Sequence, residues 1–366
     1  ERDGQWVHHP FDGDGMITAI KFKNGNASIT NKFVRTKGFL EEQKQNKFLY
    51  RGVFGTQKRG GILNNILNLN FKNIANTHVI KLGKNLLALW EAAGPHALNP
   101  DTLETKGLTT LNGVLKSNEA FSAHPKIDLN SDLASELLVT FGVQAGPKST
   151  IRLMEFSNSG EHSGEILFDR KDTFNGFSFL HDFAITTNWA IFLQNSIDFN
   201  PLPFVMGQRG AAQCLKSNPN KVSKFIIIPR ESGLYRGQKP LIIDAPKGFV
   251  FHHVNAYEKD SQIILDSIFY DDFPSVGPDE NFRDIDFENY PEGKLKRSII
   301  DLKSQTSKVK TLSEQCCEFA MVNPTKLGLH ASYSWMACTE IREGNAPLQA
   351  IKKINLNTKE EIFWSA

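Results

Sequence analysis

Short stretches in which hydrophobic and polar residues alternate dominate this chain, and they predict β-strands. Met16–Lys23 alternates in this way, and the alternation resumes over Ala27–Val34 after an Asn24-Gly25 pair. An Asn-Gly pair between two alternating stretches is typical of a tight β-hairpin. The chain therefore begins with a predicted hairpin.

A second pattern, a strand that ends in Asp, Asn or Ser and is followed by another strand, recurs irregularly along the chain. It is found at Ala97–Glu104, Met154–Glu161, Ile300–Ser307 and Ile354–Glu361. Asp, Asn and Ser favour turns because their side chains bond to nearby backbone groups. Recurring hairpins of this kind indicate the blades of an all-β propeller, and the pattern alone leaves a β-sandwich as the alternative.

Two stretches interrupt the strand pattern. Gly61–Ala75 has roughly helical spacing of its apolar residues, which predicts either a membrane-facing patch or a lid packed on the core. Phe199–Leu215 contains two Pro and two Gly and predicts a loop with a short helix. Its apolar residues form either a packed loop between blades or an exposed patch for membrane docking. The candidate patch residues are Leu202, Phe204, Val205 and Met206.

Three apolar stretches end on a histidine. Phe249–Phe251 reads as a buried strand and is followed by His252 and His253, of which only one can face the core because adjacent strand residues point to opposite sides. His181 and His124 close two similar stretches. A desolvated imidazole needs a partner, which is either a backbone carbonyl or a metal ion. No local ligand spacing decides between the two.

Composition limits the classes of function. With 42 basic and 40 acidic residues the net charge is +2, so a nucleic-acid partner is not indicated. No apolar run is long enough for a membrane span, and the chain does not begin with a signal peptide. The cysteines form no C-x-x-C pair, which predicts free thiols and a cytoplasmic location. Histidines in polar or turn contexts, such as His9 and His96, are expected to be exposed.

A series of short motifs follows one order along almost the whole chain. The motifs are Phe11–Met16, Tyr50–Phe54, Leu86–Glu91, Ser122–Pro125, Phe179–Phe183, Phe251–Asn255, Cys316–Phe319 and Gly344–Gln349. In these motifs the chain resembles the carotenoid cleavage oxygenase family, and especially the cyanobacterial apocarotenoid oxygenases. The resemblance implies a seven-bladed β-propeller with short helical excursions.

Compared with that family, the sequence looks like a fragment that lacks both termini. The resemblance implies one propeller domain over residues 1–366 that is partial, with its C-terminal blade and a fourth histidine ligand beyond Ala366. A third carboxylate of the site is expected there as well.

The resemblance also implies a site. His124, His181 and His252 would hold Fe(II), and His252 is preferred to His253 because family members keep a histidine at the first of these positions. Neutral imidazoles suit Fe(II), and carboxylates usually orient such ligands through the second ring nitrogen. Glu91 and Glu318 match the family positions for that role.

Further residues are implied around the metal. Thr77 matches a position where a small side chain crowds one coordination site. Aromatic residues beside the motifs would line an apolar substrate tunnel, or would simply be core residues. These are Phe54, Trp90, Phe179 and Phe251.

The implied activity is that of a non-haem iron(II) dioxygenase. It would use O2 to cleave one C=C bond of an apocarotenoid or carotenoid into aldehydes such as retinal, at the membrane surface as a peripheral protein. Two alternatives remain open at this stage. One is a retinoid isomerase-hydrolase of the same family, and the other is a non-catalytic propeller that binds apocarotenoids or partner proteins.

Overall fold

The computed structural model describes residues 1–116, 118–131, 136–274, 286–341 and 344–365. Strands dominate these residues, and the helices are short. The α-helices are α1 (Lys37–Gln45), α2 (Gly61–Asn65) and α3 (Leu202–Val205). Single 3₁₀ turns cover Pro10–Asp12, Ala212–Cys214, Phe287–Asn289 and Pro324–Lys326.

The predicted N-terminal hairpin is confirmed. Strands β1 (Met16–Lys23) and β2 (Asn26–Phe33) pair in antiparallel register, with Lys23 opposite Asn26. Both turn residues, Asn24 and Gly25, have positive φ, at 51° and 76°. This backbone geometry is the one that favours Asn-Gly in a two-residue hairpin turn.

Beyond the hairpin, five antiparallel sheets of four strands follow one another. The first contains β3 (His78–Leu82), β4 (Asn85–Leu89), β5 (His96–Leu98) and β6 (Thr105–Leu108). The second contains β7 (Lys126–Asp128), β8 (Leu137–Gln144), β9 (Lys148–Ser157) and β10 (Ile166–Asn175). The third contains β11 (Ala184–Ile185), β12 (Trp189–Gln194), β15 (Ser223–Pro229) and β16 (Leu241–Ala245), and β13 (Ile197–Phe199) pairs with β14 (Leu215–Ser217) outside it. The fourth contains β17 (Phe249–Lys259), β18 (Gln262–Tyr270), β19 (Lys294–Asp301) and β20 (Thr306–Ser313). The fifth contains β21 (Cys317–Val322), β22 (Tyr333–Cys338), β23 (Ala350–Asn355) and β24 (Glu361–Ser365).

Each sheet is a meander whose first strand lies at one edge. The first strand of the fourth sheet, β17, contacts the first strands of both neighbouring sheets, β11 and β21. Buried apolar clusters fill the space between consecutive sheets, as where Phe141 of the second sheet packs on Phe192 of the third. Radially arranged four-stranded meanders of this kind are propeller blades. The predicted all-β propeller is therefore confirmed, with five blades among the described residues.

The Asp/Asn turns that recur in the sequence connect the third strand of a blade to its fourth. Asn99 directly follows β5, and Asp301 and Asn355 are the last residues of β19 and β23. Each of the three side chains accepts two backbone N–H groups from the turn. The residue four positions later has positive φ in all three turns: Leu103 at 60°, Gln305 at 52° and Lys359 at 66°. The recurring Asp/Asn signal therefore marks one corner of the blade.

The predicted interruption at Phe199–Leu215 is confirmed as an insertion between β12 and β15 that contains α3. The prediction that Phe204 belongs to an exposed patch is wrong. Phe204 is only 7% exposed, because its ring stacks on Phe71 and lies 4.3 Å from the Arg51 guanidinium. Leu202 and Met206 are exposed, at 63% and 37%, and Val205 is partly buried.

None of the helices in the described part of the chain is long and apolar enough to cross a membrane.

Candidate metal centre

Three histidines from consecutive blades meet at the first-strand edge. His124 lies two residues before β7, His181 lies three residues before β11, and His252 lies within β17. One ring nitrogen of each lies within 4.8 Å of the other two, and the Nε2 atoms of His124 and His181 are 3.0 Å apart. The histidines come together because each lies in, or just before, the first strand of its blade.

An irregularity in β17 places His252 in this cluster. The pairing of β17 with β18 slips by one residue between Val250 and His253, and again between His253 and Asn255. Such β-bulges re-aim side chains and are frequent beside active sites. His252 consequently joins the cluster, whereas the Nδ1 atom of buried His253 lies 2.7 Å from the hydroxyl of Ser267 in the sheet. Only one of the two adjacent histidines faces the centre, and it is His252.

Two carboxylates orient the imidazoles. The Oε2 atom of Glu318 lies 2.6 Å from Nδ1 of His252, and Glu91 makes a close contact with Nδ1 of His181. Because an ionised carboxylate only accepts hydrogen bonds, each Nδ1 carries the proton and each Nε2 presents a lone pair. Glu318 is fixed in turn by the Tyr270 hydroxyl, which donates to Oε1 over 2.9 Å.

The donor set fits a divalent transition-metal ion. Burial lowers the pKa of His124 to about 2, so its ring is neutral at physiological pH. At His181 burial acts in the same direction, but the Glu91 carboxylate outweighs it and raises the pKa. Convergent imidazole nitrogens with carboxylates on the far side of two rings are the usual surroundings of zinc, copper, iron or nickel ions.

A buried ion pair that sequence reasoning missed lies beneath the histidines. Lys126 Nζ is 2.7 Å from Asp182 Oδ1, and Asp182 Oδ2 accepts the backbone N–H of His253 over 2.8 Å. Burial raises the pKa of Asp182, but the charge of Lys126 outweighs it and holds the pKa below the usual range. The only sequence signal is that both residues lie within two positions of a cluster histidine.

Aromatic side chains cover one side of the cluster. The Phe251 ring packs edge-on against His181, with centroids 5.6 Å apart, and edge-on against Phe249 at 4.5 Å. Phe179 stacks on Phe249 and Phe273 packs against it, so Phe179 and Phe251 belong to one aromatic group beside the histidines. Phe249 and Phe273 were not singled out from the sequence, because nothing local separates them from ordinary core residues.

The other two predicted tunnel residues lie elsewhere. Trp90 is buried and directly precedes Glu91. Phe54 stacks on His9 with centroids 5.0 Å apart and packs edge-on against Phe11, so its ring contacts are with the N-terminal segment rather than with the cluster histidines.

Thr77 lies next to a histidine that the sequence analysis did not select. The hydroxyl of Thr77 donates to Asn76, and the following residue, His78, stacks on His124 with centroids 6.0 Å apart. The Nδ1 atom of His78 lies 3.1 Å from the carbonyl oxygen of Ala123. His78 therefore supports His124 from outside the cluster.

The fold and the site define a β-propeller protein with a three-histidine centre that could hold a metal ion. A family model described as retinal pigment epithelial membrane protein matches residues 1–366. The chain belongs to this family.

Named relatives are oxygenases. The chain is 44% identical over 362 residues to an apocarotenoid-15,15'-oxygenase of Synechocystis sp., covering 98% of this chain and 72% of the relative. It is 28% identical over 345 residues to carotenoid 9,10(9',10')-cleavage dioxygenase 1 of Pisum sativum, covering 89% of this chain and 60% of the relative. It also superposes on a crystal structure of a cobalt-substituted Synechocystis apocarotenoid oxygenase with a TM-score of 0.95 and 43% identity, covering 100% of this chain and 75% of that one.

Proposed function

We propose that this protein is an iron(II) dioxygenase that cleaves one C=C bond of an apocarotenoid or carotenoid with O2. The observation that carries the proposal is the convergence of His124, His181 and His252 beside an aromatic group. Both oxygen atoms of O2 are consumed, and each carbon of the broken double bond becomes a carbonyl carbon. The products are two carbonyl compounds, and no external reductant is needed.

The residues of the centre have separate roles in this proposal. His124, His181 and His252 hold Fe(II), which would supply the activation of O2. Glu91 and Glu318 keep the Nδ1 protons of their histidines in place, so that the Nε2 lone pairs stay directed at the metal. Thr77 would limit the space at one coordination site of the metal ion.

The aromatic residues account for the class of substrate. Phe179 and Phe251 offer a rigid apolar wall beside the histidines. A polyene has no hydrogen-bonding groups along its length, so packing and exclusion of water position it. The named Synechocystis relative at 44% identity acts on apocarotenoids, which favours an apocarotenal substrate with retinal as a product.

The proposal includes the architecture and the location. The described sheets would belong to one seven-bladed propeller domain, since the first strands of the third, fourth and fifth sheets lie side by side and three consecutive sheets each bring one histidine to the same cluster. The exposed residues Leu202 and Met206 would contact a membrane surface, from which an apolar substrate can enter a cytoplasmic protein.

The reaction can be tested with the full-length protein. The metal-free protein would be loaded with Fe(II) without oxygen, mixed with an apocarotenal and exposed to ¹⁸O₂, and the products identified by mass. We expect two carbonyl products that carry the label, corrected for exchange with water. Hydrolysis or isomerisation without consumption of O2 would contradict the proposal.

Adjacent histidines supply a matched pair of variants. His252→Ala should abolish Fe(II) binding and cleavage, whereas His253→Gln should keep both, because the His253 ring bonds to Ser267 instead. Full cleavage by His181→Ala would show that the assigned metal centre is wrong.

A further inference from the structure

One buried carboxylate joins the three chain segments that carry the cluster histidines. Lys126 lies two residues after His124, Asp182 directly follows His181, and His253 directly follows His252. Asp182 contacts the other two segments at once, through the Lys126 ammonium at 2.7 Å and the His253 backbone N–H at 2.8 Å. The contact therefore crosses three consecutive blades at their first-strand edge.

The contacts are well shielded from water. The Asp182 and Lys126 side chains are 2% and 15% exposed, and the Lys126 ammonium lies 5.9 Å from the centroid of the Phe183 ring. A buried charge that loses its partner is strongly unfavourable, so the two charged groups hold each other in position.

The hydrogen bond to His253 has a specific structural cause. The two register slips in β17 fall on either side of His253, at the point where His252 is turned toward the cluster. A bulge disturbs the regular ladder between strands, and the buried N–H of His253 is satisfied by Asp182. Asp182 thus stabilises the backbone conformation that aims His252.

We propose that Asp182 and Lys126 act as a clamp that sets the spacing of the three histidines. Both are positioning residues, because they contact each other and the His253 backbone, whereas the converging ligand atoms belong to the three histidines. The inference rests on the proposed metal centre and adds to it the residues that preorganise the ligands. A ligand set held at the right spacing loses little free energy on binding the ion, and a loosened one binds more weakly.

The competing explanation is an ordinary buried ion pair that only stabilises the fold. Asp266 offers a matched control, because it is 2% exposed and pairs with Arg297 at 2.7 Å within the fourth blade. Removing either pair should lower the stability of the fold. Only removal of the Asp182 contacts should change metal binding.

The test uses Co(II) as the probe, with the full-length protein and its Asp182→Ala, Lys126→Met and Asp266→Asn variants. Titration of the metal-free proteins gives the Co(II) affinity, and the visible absorption bands report the coordination geometry. We expect Asp182→Ala to weaken Co(II) binding by about 10- to 100-fold and to alter the bands, as is typical when a residue that orients metal ligands is removed. Lys126→Met should change affinity in the same direction, and Asp266→Asn should leave affinity and bands unchanged.

The outcomes separate this inference from the proposed function. A wild-type protein that fails to bind Co(II) would overturn the metal centre itself. A wild-type protein that binds normally, beside an Asp182→Ala variant with the same affinity and bands, would overturn only the clamp. If Asp182→Ala does not fold, Asp182→Asn decides the question. It loses the charge opposite Lys126 but keeps an oxygen for His253, so unchanged Co(II) binding in that variant would also overturn the clamp.

Discussion

At the scale of single residues, the side chains that would bind the metal ion are different from the side chains that carry negative charge. The three ring nitrogens are neutral donors, so the charge of a bound divalent ion has to be balanced at a distance. Glu91 and Glu318 supply this balance on the far side of His181 and His252. Glu318 has two further donors, the Tyr270 hydroxyl and the Phe319 backbone N–H. Glu318 is thus held in one orientation, and so is the His252 ring that it contacts.

Replacing either carboxylate should weaken the metal centre without unfolding the propeller. We expect Glu91→Gln and Glu318→Gln to lower Fe(II) affinity or cleavage rate by about 10- to 100-fold, because a neutral amide holds the imidazole proton less strongly. Metal titration and initial rates measure the effect. Glu258→Gln is the control, since Glu258 accepts hydrogen bonds from Thr186 and Asn188 and has no contact with the cluster. Wild-type loading and rates in both variants would show that these carboxylates are only structural.

At the scale of elements, two irregular segments form one exposed apolar patch. Residues 61–69 contribute Ile62, Leu63, Leu67 and Leu69, and the α3 insertion contributes Leu202 and Met206. Leu67 donates its backbone N–H to the carbonyl of Val205 over 2.8 Å, and Arg51 donates to carbonyls in both segments, including Asn68 and Phe204. Arg51 is 1% exposed and stacks over Phe204, so it holds the patch from the interior side.

This patch should bind lipid surfaces through its exposed members only. We expect Leu63→Ser combined with Leu202→Ser to reduce partitioning onto liposomes, because the exposed apolar area that enters the membrane falls. Turnover of detergent-dispersed substrate should stay near the wild-type rate. Leu234→Ser is the control, since Leu234 is as exposed as Leu63, at 86%, but lies outside the two segments. Equal liposome binding by all three proteins would remove the patch from the membrane proposal.

At the scale of the whole molecule, stability depends on histidines buried in their neutral form. The prediction that His9 and His96 are exposed is wrong, because they are only 5% and 4% exposed. Burial lowers the pKa of each to about 4, and the same holds for His253. The unfolded chain would take up these protons near the ordinary value of 6.5. Protonation therefore favours the unfolded state.

The metal-free protein should lose stability as the pH falls from 6.5 toward 4. Above pH 6.5 each of these histidines is neutral in both the folded and the unfolded chain, so the free energy of unfolding is not reduced. Below pH 4 each one has reduced the free energy of unfolding by about 3 kcal/mol at most, by linkage between pKa and folding. Thermal unfolding midpoints over this pH range measure the loss. His96→Gln should flatten the dependence, since one titrating group is gone. An unchanged slope in that variant would show that His96 does not contribute.

The sequence by itself determined the repeating parts of this protein. The Asn24-Gly25 turn and the Asp/Asn turns after β5, β19 and β23 depend on residues next to each other in the chain, so local pattern located them. Family motifs selected His124, His181 and His252, and the structure brings the three together. Whether they hold iron stays a prediction.

Only the tertiary structure decided the relations between blades. The burial of Phe204, the contact of Asp182 with two other blades and the aromatic group around Phe249 each join residues far apart in the chain. The direction in which the His252 side chain points depends on β-bulges in the pairing of β17 with β18. The spacing of residues in the sequence does not show these bulges. Alternation specifies which residues form a strand, but the face that a side chain finally takes is set by packing against neighbouring blades.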